Sequence, residues 1–146
     1  MRTTRPFGNL VSSGKIVRLA RRMPIFTKTH FVLAVPNLQV SADFYRSALG
    51  FTIHEMAPGW LRFQHDNCSI MAGECPDAIP PKDLGDHSYF GYIVVDDIDE
   101  LYVSVQAARA ELVKTLRSEP WGMKEFGVRT ADGHRLMFGS PIAPSV

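Results

Sequence analysis

Cysteine is scarce: Cys68 and Cys75 are the only two in 146 residues. Their number and spacing suit neither a disulfide framework nor a zinc knuckle. Both read as free thiols in a reducing compartment, which points to a cytoplasmic protein. Long hydrophobic runs are missing too. No stretch approaches the roughly 20 apolar residues that a bilayer crossing requires, so no membrane partner is expected. An excess of one charge is missing over the whole chain, with 16 Lys and Arg against 15 Asp and Glu and a net charge of +1. That balance argues against a dedicated nucleic-acid binder.

Acid is missing locally. No Asp or Glu occurs before Asp43, while Arg2, Arg5, Lys15, Arg18, Arg21 and Arg22 all precede Met23. Residues 1–26 read as a basic, disordered extension, with the functional start near Met23. An organelle transit peptide, and a basic arm that touches a partner, are alternatives with the same composition. A secretory signal is disfavoured, because no apolar run of about 7–15 residues follows the first arginines.

What is present is an average globular composition, 45% hydrophobic and 21% charged, enough for a core in one domain over residues 27–142. Thr27–Val35 is β-branched and apolar and predicts a buried strand. Val40–Leu49 carries apolar residues at helical spacing and ends at Gly50, a natural helix stop. Short strands are expected over Phe51–Met56, Trp60–Gln64 and Cys68–Ala72, and a linker loop over residues 75–87. The pattern then recurs. Tyr89–Val95 reads as a strand, and Ile98–Ala110 as a helix capped by Asp97. Val113–Leu116, Lys124–Thr130 and Arg135–Phe138 read as strands, the last two joined at Asp132-Gly133.

The halves align on each other, Thr29–Leu38 over Tyr89–Ile98 and Asp66–Gly73 over Asp132–Gly139. A repeat of this length implies two modules, about 27–74 and 88–140, related by a pseudo-twofold axis. The fold class is therefore α+β, built from two βαβββ modules.

Three motifs carry a family resemblance. Phe44-Tyr45 followed by Leu49-Gly50-Phe51, Val95-Asp96-Asp97-Ile98-Asp99, and Pro120-Trp121-Gly122-Met123-Lys124-Glu125-Phe126 with Asp132-Gly133-His134 together resemble the vicinal oxygen chelate superfamily. That superfamily holds glyoxalases, bleomycin-resistance proteins and extradiol dioxygenases. The resemblance implies curved sheets enclosing a cup-shaped cavity, and homodimers with cavities at or near the interface.

Metal-using members hold a divalent ion with four ligands on the first and last strands of the modules. The matching positions here are His30, Met71, Phe90 and Met137. Thioethers suit soft ions and a phenyl ring has no lone pair to give, so no metal and no cofactor is expected. Strand alternation puts Val32 and Ala34 in phase with His30, and Tyr92 and Val94 in phase with Phe90. Ser69 and Gly73 fall in phase with Met71, and Arg135 with Met137.

Trp60 and Trp121 fall where the drug-binding members use aromatic residues to sandwich a planar ring system. The resemblance therefore implies binding or sequestration of a flat, mainly apolar molecule, as in antibiotic resistance. The ligand-binding set is His30, Trp60, Met71, Phe90, Tyr92, Trp121 and Met137. An acidic groove for a cationic drug is only weakly represented, since Lys82 and Arg62 accompany Asp77, Asp83 and Asp86. Glu125 is expected to accept backbone N–H groups of the loop and so hold Trp121.

Two alternatives remain. One is an enzyme of the superfamily: a lyase, isomerase or ring-cleaving dioxygenase that uses one divalent metal, or a metal-free enzyme with His30 or Tyr92 as acid–base group. The other is an interaction subunit whose cup is filled by its own side chains.

Overall fold

The computed structural model describes residues 27–85 and 89–143; the N-terminal extension, His87 and Asp86 lie outside them. Strand β1 (Phe31–Val35), helix α1 (Leu38–Leu49) and strands β2 (Thr52–Glu55), β3 (Trp60–His65) and β4 (Cys68–Glu74) make the first module. Strand β5 (Tyr89–Val94), helix α2 (Ile98–Ala107) and strands β6 (Glu111–Ser118), β7 (Met123–Arg129) and β8 (Arg135–Pro141) make the second. The sheets have the same order, β1-β4-β3-β2 and β5-β8-β7-β6. In each the first and last strands run parallel and the remaining pairs antiparallel.

The helix ends follow from local chemistry. The Asn37 side chain accepts from the Val40 N–H at 3.0 Å, which starts α1 two residues before the apolar pattern suggests. Gly50 stops it at φ 72°, a left-handed conformation that costs glycine least. Asp97 caps α2 through the Glu100 N–H at 2.9 Å. That helix ends at Ala107 rather than Ala110, and Arg109 takes φ 57°. Strands β4, β6 and β8 run longer than their apolar patterns, because pairing with neighbours extends a strand past its hydrophobic residues. By the same rule β1 begins only at Phe31, where its pairing with Ile70 starts.

Alternation sorts each sheet into two faces. Leu33, Val35, Phe63, Ile70 and Ala72 of the first sheet are buried, as are Phe126, Val128, Leu136 and Phe138 of the second. They pack with Ala42, Tyr45 and Leu49 of α1 and Ile98 and Val105 of α2. Tyr45 and Phe63 lie 4.7 Å apart between ring centroids, and Phe126 stacks on Phe138 at 5.3 Å. Each buried Val, Leu, Ile or Phe side chain among them stabilises the fold by about 1.5–3 kcal/mol.

The modules are joined by specific contacts. The Ser41 hydroxyl of α1 donates to Asp132 Oδ2 at 2.7 Å, across the module boundary and out of solvent. Burial holds the Asp132 carboxyl above its ordinary value. Phe31 meets the edge of Phe90 at 5.8 Å.

The opposite faces of both sheets remain open. Val32, Tyr92 and Val94 are 58%, 45% and 62% exposed, so the chain's own side chains do not fill these faces.

Candidate functional site

Three aromatic rings lie on these open faces, each over a glycine. Trp60 stands opposite Gly73, and a Cβ at Gly73 would sit 2.8 Å from its indole. Tyr89 covers Gly127, and Tyr92 covers Gly139 so closely that a side chain there would collide with the phenol. Gly73 and Gly139 let the Trp60 and Tyr92 rings lie close on the sheet, which a β-carbon would prevent, whereas a β-carbon at Gly127 would meet Tyr89 at ordinary contact distance and press on Val113 at 3.0 Å.

On the first sheet, His30 Nδ1 shares a 2.7 Å hydrogen bond with Ser69 Oγ. Met71 is flanked by Val32 on β1 and Arg62 on β3. On the second, Met137 lies between Tyr92 and Gly127.

Phe90 departs from the expected phase. A bulge between Tyr89 and Gly91 interrupts the pairing of β5 with β8 and shifts the alternation by one residue. Phe90 therefore packs on the core, against Phe31 and 5.6 Å from the His134 ring. Tyr89 takes the place on the open face instead.

The second sheet carries the densest polar group. Glu125, only 3% exposed, receives three donors. Tyr92 Oη donates to Oε2 at 2.7 Å, Trp121 Nε1 to the same oxygen at 3.3 Å, and Lys114 Nζ to Oε1 at 2.5 Å. Lys114 also pairs with Glu119 at 2.7 Å, and Glu119 with Arg117 at 2.5 Å. The Lys114 ammonium lies 5.5 Å from the centre of the Trp121 ring, within cation–π reach.

The charges support one another. Burial alone would raise the Glu125 carboxyl, but bonds from Lys114, Tyr92 and Trp121 outweigh it and hold the group below its ordinary value. Burial would lower the Lys114 ammonium, and its bonds to Glu119 and Glu125 raise it instead. Burial, the Glu125 bond and the Glu125 charge push the Tyr92 phenol up to about 12. Tyr92 is thus a fixed donor at neutral pH and poorly suited to act as a base.

Trp121 owes its position to a turn. The Gly122 N–H donates to Glu119 O at 3.1 Å, and Gly122 takes φ 83°. Pro120 and Trp121 form the apex, which leaves the indole 64% exposed while its N–H is tethered below. Glu125 holds Trp121 by the side-chain N–H, not by the backbone N–H groups anticipated from sequence. Lys114 and Glu119, which complete the cluster, carried no sequence signal beyond their charge.

A cleft of about 870 Å³ runs between the end of α1, the β3–β4 turn and the β5–α2 junction. Cys68 and Phe31 line it, as do Tyr92 and Val94, but His30, Met71 and Met137 do not.

The donor set does not fit a divalent ion. Of the four ligand positions that the family resemblance implies, two are thioethers and one is a phenyl ring turned onto the core. The remaining imidazole is bonded to Ser69. Among the described residues no three His, Cys, Asp or Glu side chains are grouped to hold a metal.

The family model described as glyoxalase/bleomycin resistance protein/dioxygenase superfamily matches residues 28–138. The chain belongs to that superfamily. Solved structures share its fold. TioX from Micromonospora sp. ML1 is 21% identical, with a TM-score of 0.66 over 80% of this chain and 99% of that one. TnmS3, an antibiotic binding protein from Streptomyces sp. CB03234, is 21% identical, with a TM-score of 0.67 over 82% of this chain and 99% of that one. A glyoxalase/bleomycin resistance protein/dioxygenase from Nocardioides is 16% identical, with a TM-score of 0.69 over 92% and 95%. No curated protein matches the chain. As a superfamily member it is built on two βαβββ modules, and among the described residues no helix is long and apolar enough to cross a membrane.

Proposed function

We propose that the chain is a metal-free binding protein that sequesters or carries a planar, mainly apolar small molecule between Trp60 and Trp121. The observation that carries this reading is Trp121: a largely exposed indole held from below by Glu125 and Lys114. An exposed indole fixed in place before binding loses little freedom when a flat ligand stacks on it. The antibiotic-binding description of TnmS3, on the same fold, supports the reading.

The ligand site is completed by a second copy. β1 and β5 are end strands of their sheets, and their exposed Val32 and Val94 continue the open aromatic faces. Two copies placed face to face would cover these apolar residues and bring the first sheet of one against the second sheet of the other. Holding a toxic compound of this shape in the cytoplasm would give resistance to it.

Titration of tryptophan fluorescence with a flat polycyclic compound such as anthraquinone tests the reading. Saturable quenching, lost in Trp121→Ala, is the expected result. A set of planar compounds none of which quenches either indole would overturn it.

A further inference from the structure

Arg62 differs from the ion-paired cations among the described residues. Arg46, Lys114, Arg117, Lys124 and Arg129 each meet a carboxylate. Arg62 forms no ion pair among the described residues, and its Nε is buried without a hydrogen-bond partner. It sits two residues after Trp60 on β3, and so on the same open face. Its cross-strand neighbours are Met71 and His54. Alternation puts no Asp or Glu on that face of the first sheet: the strand positions there are Val32, Ala34, Thr52, His54, Trp60, Arg62, Gln64, Ser69, Met71 and Gly73.

A flat molecule lying on Trp60 would cover this guanidinium and remove its water. A neutral hydrocarbon would leave a desolvated cation with unmet donors, which is costly. A cation would add like-charge repulsion. A carboxylate or ionised phenol at the edge of the ring system would accept from the guanidinium in a geometry that arginine favours.

We propose that the molecule taken up on this face is an aromatic anion, and that Arg62 recognises its acidic oxygen while Trp60 carries its ring. The proposal rests on the reading of this face as a ligand surface. It separates the chain from a binder of cationic drugs. Arg135 has the same orphan Nε on the second sheet, but its neighbours are Tyr89 and Arg129 and no tryptophan, so it is the comparison residue.

Calorimetric titration with 2-naphthoate and with its neutral counterpart 2-naphthamide tests the assignment. The full chain binds the carboxylate about tenfold more tightly than the amide, the scale of one charge-assisted hydrogen bond. Arg62→Gln brings the two affinities to within about twofold, while Arg62→Lys, which keeps the charge, retains part of the preference. Arg135→Gln leaves the preference in place. Equal affinity of the native chain for both probes, or loss of the preference in Arg135→Gln and not in the Arg62 variants, overturns the role of Arg62 and leaves the planar-ligand reading standing. Absence of binding by both probes overturns the aromatic-anion assignment, and the planar-ligand reading falls with it only where the wider set of planar compounds also leaves both indoles unquenched. Should Arg62→Gln fail to fold, Arg62→Lys and the two-probe ratio of the native chain still decide the matter.

Discussion

Tyr92 and Trp121 hydrogen-bond to the same carboxylate oxygen, Glu125 Oε2, at 2.7 and 3.3 Å. One residue comes from the strand at the sheet's edge and the other from a turn between two strands at its far side. A single acceptor therefore ties the loop indole to the sheet.

The first prediction concerns that acceptor. Glu125→Gln keeps the shape, loses the charge, and leaves Lys114 with Glu119 as its only carboxylate partner. Denaturant titration should show a loss of about 1–3 kcal/mol, the cost of leaving a partly buried charged group under-partnered. Trp121 fluorescence should become more mobile by anisotropy. Unchanged stability and anisotropy would contradict the tether.

pH provides a second readout. The lowered Glu125 carboxyl contributes stability that is present above its ordinary value of 4.5 and lost as pH falls through its folded value. The raised Tyr92 phenol contributes stability that is full below its ordinary value of 10.0 and lost as pH rises through about 12. The acid limb of the stability curve should be shallower in Glu125→Gln. Ring-labelled tyrosine NMR should place Tyr92 at about 12 in the native chain and lower in the variant. An unaltered Tyr92 titration would show that Glu125 does not shift it.

Gly73→Ala tests the ring-on-glycine packing. The new methyl would lie 2.8 Å from the Trp60 ring, so the indole must lift from the sheet. Because Trp60 is at the surface, stability should fall by only about 1–3 kcal/mol, as in ordinary overpacking. Ligand affinity should fall more steeply. Affinity that survives in a folded Gly73→Ala protein would remove Trp60 from the site.

The module boundary gives a third target. Ser41→Ala removes a buried donor from Asp132, whose carboxyl burial already holds high. A cost of about 1–3 kcal/mol is expected, most of it absent when Asp132→Ala, which removes the acceptor, is the background. Additive effects in this double-mutant cycle would mean that the two side chains do not interact.

Val94→Asp addresses assembly. On a single chain this 62% exposed position should tolerate the change within about 0.5 kcal/mol. If a second copy covers it, sedimentation should show a shift from dimer to monomer, with loss of ligand binding. A monomeric native protein would remove the two-copy site.

The order of elements was legible in sequence because period-two and period-3.6 patterns, with Asn37, Gly50 and Asp97 as stops, report backbone conformation locally. The open faces were legible for the same reason at Val32, Met71 and Tyr92. Phe90 was not, since a bulge is a property of the pairing between β5 and β8 and leaves the one-strand pattern intact. Lys114 and Glu119 were also hidden. Their role arises from convergence of β6, the turn and β7 on Glu125, and charge alone does not encode a meeting point.

The irregularity at β5 also sets the rules for anyone rebuilding chemistry into this scaffold. A histidine installed at position 90 would bring its imidazole against the partly buried core edge, between Phe31 and His134. To aim a donor at the concavity, the exchange has to be made one residue earlier, at Tyr89, so grafting a related enzyme's ligand quartet by aligned position alone would leave one corner of the coordination sphere facing the wrong way.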